Sequence, residues 1–175
     1  MLRPSPKTNF TLFKILPLKK TIIALFVLQL VTVGVIFAQN IDLENIRSVY
    51  SNSKESEKTS MIILSQLAKI KNPTPIEQAY HGAFIAVKAN FSHNPFSKLS
   101  LVQKGMSEIN NAITRDKANI EIRYLRYTIQ NEMPSILKLS QNLSEDKPLL
   151  SAYADRYPDK ELSLKIIGYF NLHSN

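Results

Sequence analysis

The chain has 175 residues, with 22 lysines and arginines against 14 acids, nine prolines, four glycines, and neither cysteine nor tryptophan. The absence of cysteine excludes disulfides, cysteine-ligated zinc, iron–sulfur clusters, thiolate catalysis and an acylated lipoprotein cysteine, and the glycines at 34, 82, 105 and 168 are too scattered to cradle a phosphate as a P-loop or Rossmann turn does. The net charge of +8 suggests nucleic acid, yet residues 1–38 hold Arg3, Lys7, Lys14, Lys19 and Lys20 with no acid, which leaves 17 cations against 14 acids for residues 39–175. Both signs are interspersed there, as on a solvated surface, so no nucleic-acid partner is expected.

Residues 21–38, TIIALFVLQLVTVGVIFA, are uncharged and follow Lys19 and Lys20, the pattern of a cationic n-region and a hydrophobic h-region. As a helix, such a segment rises about 27 Å, slightly short of a bilayer crossing. Three readings stay open. The segment is a signal peptide cleaved after Ala38, so that the mature chain begins at Gln39 or Asn40; it is an uncleaved anchor with the lysines on the cytoplasmic side; or it is a buried core helix. The first two put the rest of the chain outside the cytoplasm, either free in the periplasm or medium, or tethered to the inner membrane. Membrane contact is expected only through this segment, if uncleaved. The expected division is a leader or anchor over 1–38, a first short helix and polar connection over 39–58, and a helical domain over 59–172.

Apolar residues at three- and four-residue spacing predict helices throughout the remainder. The first runs from about Asp42 to Tyr50, with Leu43, Ile46, Val49 and Tyr50 on one face, and the polar stretch 51–60 connects it to a second over 60–71, striped by Ile63, Leu67 and Ile70 and stopped by Asn72-Pro73. Thr74-Pro75-Ile76-Glu77 is a capping box that starts a third helix lasting to about Phe91. Its small residues Ala79, Gly82, Ala83, Ala86 and Ala89 let another helix axis come close, while Tyr80, Phe84, Val87 and Phe91 fill the adjoining core.

Asn94-Pro95 repeats the start signal, and Leu99, Val102, Met106, Ile109 and Ile113 stripe a fourth helix. The short connection implies that helices three and four form an antiparallel hairpin. A fifth helix from about Asn119 to Met133 carries Ile122, Leu125 and Ile129. A short helix is expected over 134–143, then one capped by Ser144 over 145–156 with Leu149, Leu150, Tyr153 and Tyr157 inward and Pro148 in its first turn. Residues 161–172 are read as a last helix capped by Asp159, a strand there having no partner.

Ala79-Tyr80-His81-Gly82-Ala83, then Gly105, Ile109 and Ala112, then Asp116-Lys117-Ala118-Asn119 resemble a degenerate tetratricopeptide unit, with Lys117 where that family places proline. The likeness covers about 45 residues. The chain is also similar to small exported all-helical proteins of unknown function from Gram-negative bacteria. The resemblance implies an all-α fold of antiparallel hairpins, in a small bundle or short tetratricopeptide-like array behind a hydrophobic leader helix, and recognition of a protein or peptide rather than an activity.

No catalytic carboxylate pair, Gly-x-Ser-x-Gly elbow or metal-spaced histidine pair is present, and no cofactor is expected. Arg123, Arg126, Tyr127, Tyr80 and His81 form the candidate binding set. The stem of Arg126 lies beside the apolar stripe of its helix, so its guanidinium requires a partner, either an acid among Glu121, Glu108 and Asp146 that ties helices together, or an anionic ligand. Tyrosines 80, 124, 127, 153, 157 and 169 are read as half-buried filler or as groove lining. The reading that follows is a non-catalytic exported interaction module. A membrane-anchored accessory protein is one alternative, and an enzyme with a site around Arg123, Arg126 and His81 is another.

Overall fold

The computed structural model describes residues 42–134, 141–158 and 160–173, which contain seven α-helices, one 3-10 turn and no strand. The described residues belong to one compact unit, residues 41–175. The expected leader, most of the short helix over 134–143 and the Asp159 cap lie outside them.

Local chemistry sets most helix starts. In α1 (Leu43–Ser51) the Asp42 carboxylate accepts the Glu44 amide. The second helix, α2 (Glu57–Leu67), begins earlier than its apolar stripe, because Ser56 accepts the Thr59 amide and Glu57 adds an acid to the first turn. The polar connection therefore shortens to residues 52–56. At its other end α2 stops at Leu67, well before Asn72-Pro73: the amides of Lys69 and Ile70 close tight turns onto the carbonyls of Gln66 and Leu67, and Ile70 still packs on the core.

The capping box of α3 (Pro75–Lys88) is complete, Thr74 accepting the Glu77 amide while Glu77 accepts the Thr74 amide at 2.7 Å. A 3-10 turn over Ala89–Phe91 extends it to the expected end. In α4 (Pro95–Arg115) Asn94 accepts the amides of Phe96 and Ser97, and in α5 (Ile120–Asn131) Asn119 accepts that of Ile122.

The sixth helix, α6 (Leu143–Arg156), starts two residues before the expected Glu145, with Asn142 rather than Ser144 at the cap position; its side chain caps no helix amide and bonds Gln130 and Glu145 instead. Pro148 thus sits inside the helix, beyond the first turn. Leu150 is buried, but Leu149 and Tyr157, expected inward, are exposed at 42% and 41%, since only one narrow face of α6 is covered, by α5 and α7. The last helix, α7 (Glu161–Leu172), is helical as expected, with Ile166 buried and Leu162, Tyr169 and Phe170 partly so.

The core is centred on α3, which packs on α2, α4 and α5 and buries Ala79 through Val87 except for His81, the positions before Ala79 being half-open. Gly82 meets Gly105 of α4, where a Cβ on Gly82 would lie 2.5 Å from the Gly105 carbonyl oxygen. Only glycine admits backbones at that separation. Gln78 Nε2 bonds Glu108 at 3.2 Å, and Arg115 binds Gln78 and the Pro73 carbonyl, so the pair is fastened along its length. Ile46, Phe84, Ile109, Ile122 and Leu125 fill the interior, while a smaller cluster of Tyr127, Leu150, Ala154 and Ile166 joins α5, α6 and α7.

Ser163 is fully buried in this second cluster, and its hydroxyl has no partner among the described residues. A stranded hydroxyl destabilises the folded state. Ser163→Ala is expected to raise stability by about 1 kcal/mol, visible as a higher melting temperature by circular dichroism.

Candidate functional site

Three faces of α5 do different work. Ile122, Leu125 and Ile129 enter the main core; Arg123, Arg126 and Gln130 meet α6; Glu121, Tyr124 and Thr128 border an open cavity of about 590 Å³ whose other walls come from α1, α3, α6 and α7.

On the α6 side two guanidiniums converge on one carboxylate. Arg126 holds the fully buried Asp146 bidentately, Nε to Oδ2 at 2.6 Å and Nη2 to Oδ1 at 2.7 Å, and Arg123 Nη1 reaches Oδ1 at 2.9 Å. Glu145 closes the cluster from the half-exposed side, accepting Arg123 Nη1 at 2.7 Å and Arg126 Nη2 at 3.0 Å. Two cations and two acids leave it neutral. Two further donors are used as well: Arg123 Nε bonds the Lys117 carbonyl and Arg126 Nη1 bonds Asn110. Hydrogen bonding from Arg123 keeps the Glu145 carboxyl below its ordinary value, and although burial lowers Arg123, its bonds to Glu145 and Asp146 more than reverse this. Both acids also stand in the first turns of α6, where negative charge offsets the helix dipole.

A second charged group opens on the cavity, joining Glu121 and Tyr80, both singled out in the sequence, to Arg47, which was not. Arg47 binds Glu121 through Nε and Nη2, both at 2.7 Å, across 74 residues of sequence, and the Tyr80 hydroxyl donates to Glu121 Oε1 at 2.7 Å. Burial pushes the Glu121 carboxyl up, but these bonds together with the Arg47 charge outweigh it, so the group titrates below the usual carboxylate range. Burial, then the Glu121 charge, drives the Tyr80 hydroxyl upward, and burial, with smaller contributions from Tyr169 and the Glu132 charge, carries Tyr124 to about 12. These hydroxyls stay protonated at any physiological pH.

The depressed Glu121 has a defined pH signature. As pH falls, the unfolded chain takes up this proton first, near its ordinary value of about 4.3, so the stabilisation is complete above about pH 5 and vanishes as pH drops through the lower folded value. Glu121→Gln is expected to cost about 2 kcal/mol at neutral pH and to flatten the acid limb of stability against pH, measured by urea unfolding between about pH 3 and 7.

Tyr50, Tyr124, Tyr153 and Tyr169 line the cavity with Tyr80. Tyr50 packs edge-on against Tyr80 and Phe84, and Tyr169 edge-on against Tyr124 and Tyr127, which fixes the rings. The Tyr169 hydroxyl is anchored by Asn131 and donates to the Thr128 carbonyl at 3.3 Å. The Tyr124 hydroxyl has no hydrogen-bond partner among the described residues and borders the open space. Ion pairs Lys54–Glu132 and Lys165–Glu161 stand at the rim, along with Lys160.

Of the five candidate residues, Tyr80 alone lines this cavity. Arg123 and Arg126 belong to the ion cluster, Tyr127 packs on Tyr169 and Phe170, and His81 lies on the α4 side, 4.0 Å from Glu108. Burial lowers the His81 imidazole despite the pull of Glu108. Among the described residues no group of three or more histidines and acids could hold a metal ion, and no helix is long and apolar enough to cross a membrane. No family model matches the chain, and no curated protein or solved structure matches it.

Proposed function

We propose that the chain is an exported, non-catalytic interaction module that holds a polypeptide segment of another protein in the tyrosine-lined cavity between α1, α3, α5 and α7. The observation that carries the reading is the lining itself: five tyrosine rings around one open cavity, two pairs of them packed edge-on (Tyr50 with Tyr80, Tyr124 with Tyr169), beside the ion pairs Arg47–Glu121, Lys54–Glu132 and Lys165–Glu161. Rigid rings with polar tips offer apolar contact together with donors and acceptors for a peptide backbone, at small cost in side-chain entropy. The Gly82–Gly105 crossing and the contacts from Pro73 to Arg115 support an antiparallel hairpin of tetratricopeptide-like kind, whose neighbours curve to make a concave face. An enzyme site around Arg123, Arg126 and His81 draws no support, since acids and carbonyls occupy both guanidiniums and the imidazole lies elsewhere.

Export rests on residues 19–38 and is tested by the mass of the native protein. An N-terminus at Gln39 or Asn40 agrees with a cleaved leader, and retention of residues 21–38 in the membrane fraction agrees with the anchored accessory alternative. The binding reading is tested with a photo-crosslinking amino acid at Tyr124 and, separately, at exposed Leu149. An adduct with a second polypeptide specific to position 124 and lost in Tyr153→Ala supports the module; equal adducts at both positions, or none at 124, overturn it.

A further inference from the structure

Thirty consecutive residues, Gln78 to Ser107, contain no acid. They form most of α3, the turn and the first half of α4, and their charged side chains are Lys88, Lys98 and Lys104, all exposed. At the turn between the two helices Phe96 stands 82% exposed in the first turn of α4, while Phe91 and Leu101 are half-buried beside it. These three line an open groove with Lys88, three serines and one acid, Glu57 at the start of α2. The first turn of α4 has no acid, whereas those of the other six described helices each have at least one. An aromatic ring held out in water and flanked by lysines is thus concentrated at one end of the α3–α4 pair. The core does not use this ring, and the peptide cavity does not include it.

We infer that this turn docks on an anionic lipid surface, with Phe96 entering the headgroup layer and Lys88 and Lys98 against the lipid phosphates. Charge complementarity chooses the occupant. A second copy would bring lysines against lysines at this end, whereas an anionic leaflet meets both the positive charge and the exposed ring. Aromatic rings favour the interfacial region of a bilayer, and basic residues beside them add an attraction that fades with salt. The inference is independent of what the tyrosine cavity binds and of whether residues 21–38 are retained.

The absence of tryptophan from the chain supplies the test. Phe96→Trp in the full-length protein introduces a single indole, and Leu172→Trp, at a position 80% exposed on α7, serves as the control. On adding vesicles of phosphatidylcholine with phosphatidylglycerol, the indole at position 96 is expected to shift to the blue and to be quenched by brominated acyl chains. The shift weakens on pure phosphatidylcholine and in high salt, and the control indole stays unchanged. In the Phe96→Trp protein, the further changes Lys88→Glu and Lys98→Glu lower the vesicle-dependent signal by about tenfold or more. The proposal is overturned by an equal response on neutral and anionic vesicles, by no response on either, or by the control shifting to the same extent. A blue shift that needs no lipid and grows with protein concentration overturns it too, because a second copy then covers the ring.

Discussion

Asp146→Ala is expected to destabilise the protein by about 3–5 kcal/mol, a loss read from urea unfolding followed at the helical circular-dichroism band. The reason is the state in which it leaves its neighbours. Arg123 and Arg126 have side chains only 10% and 5% exposed, and the carboxylate that takes three of their N–H groups is completely buried. Removing it strands guanidinium charge in a site that water hardly reaches, with only Glu145 left to face it. Arg126→Met should also cost several kcal/mol, though less than Asp146→Ala, since it leaves the buried acid with Arg123 as its one remaining cation. Glu145→Gln should cost about 1 kcal/mol or less, because that carboxylate is half-exposed and solvent screens its contribution. The decisive comparison is the triple replacement Arg123→Met, Arg126→Met, Asp146→Leu. It removes the three buried charges and leaves only the half-exposed Glu145, which water can solvate, so it is expected to recover most of the stability lost by Asp146→Ala. A triple variant as unstable as the single one would mean that the cluster contributes through geometry rather than through charge balance.

The demand made by Arg126 was legible in the sequence: a guanidinium beside an apolar stripe needs an acid, and Asp146 was one of three available. What the sequence could not say was which acid, because that depends on which face of α6 turns toward α5. The same ignorance put Leu149 and Tyr157 inside, when only the Leu150 and Ala154 face is covered. Signals confined to a few residues carried over well. Thr74-Pro75-Ile76-Glu77 and Asn94-Pro95 start helices through bonds between neighbours, and no distant packing alters them. The early start of α2 was missed because its signal, Ser56 followed by Glu57, sits inside a polar run that reads as a linker. Arg47 and Glu121 carry no mutual signal at all. They are 74 residues apart, on α1 and α5, and Arg47 looks like any solvated lysine or arginine until the fold brings the two helices together around the cavity. Tyr80 was marked for its place in the repeat-like motif, whereas its hydroxyl bond to Glu121 is a product of tertiary structure.

Glycine substitutions are expected to give opposite signs at different positions, and the largest loss falls at the α3–α4 crossing. A Cβ on Gly105 would collide with the Gly82 carbonyl oxygen and press on the backbone nitrogen and Cβ of Ala86; one on Gly82 would meet the Gly105 carbonyl at 2.5 Å and Glu108 Cβ at 2.8 Å. These obstacles are mainly backbone, which no rotamer change can move aside, so the helix axes must separate. Separation loosens the contacts of Ala79, Ala83, Ile109 and Ala112, which are all fully buried. Overpacking of this kind costs about 3 kcal/mol, from which the better helix propensity of alanine recovers about 1 kcal/mol. Gly105→Ala should therefore lose about 2 kcal/mol net, and Gly105→Val considerably more. Gly168 is the internal control, since a Cβ there meets nothing within 4 Å and its helix has a free outer face. Gly168→Ala should gain about 1 kcal/mol from helix propensity alone. The double variant Gly82→Ala, Gly105→Ala should fall short of the sum of the two single losses, because axes already pushed apart by one methyl make room for the second. Additive losses would show that each glycine is needed for its own backbone conformation rather than for the shared approach of the two helices.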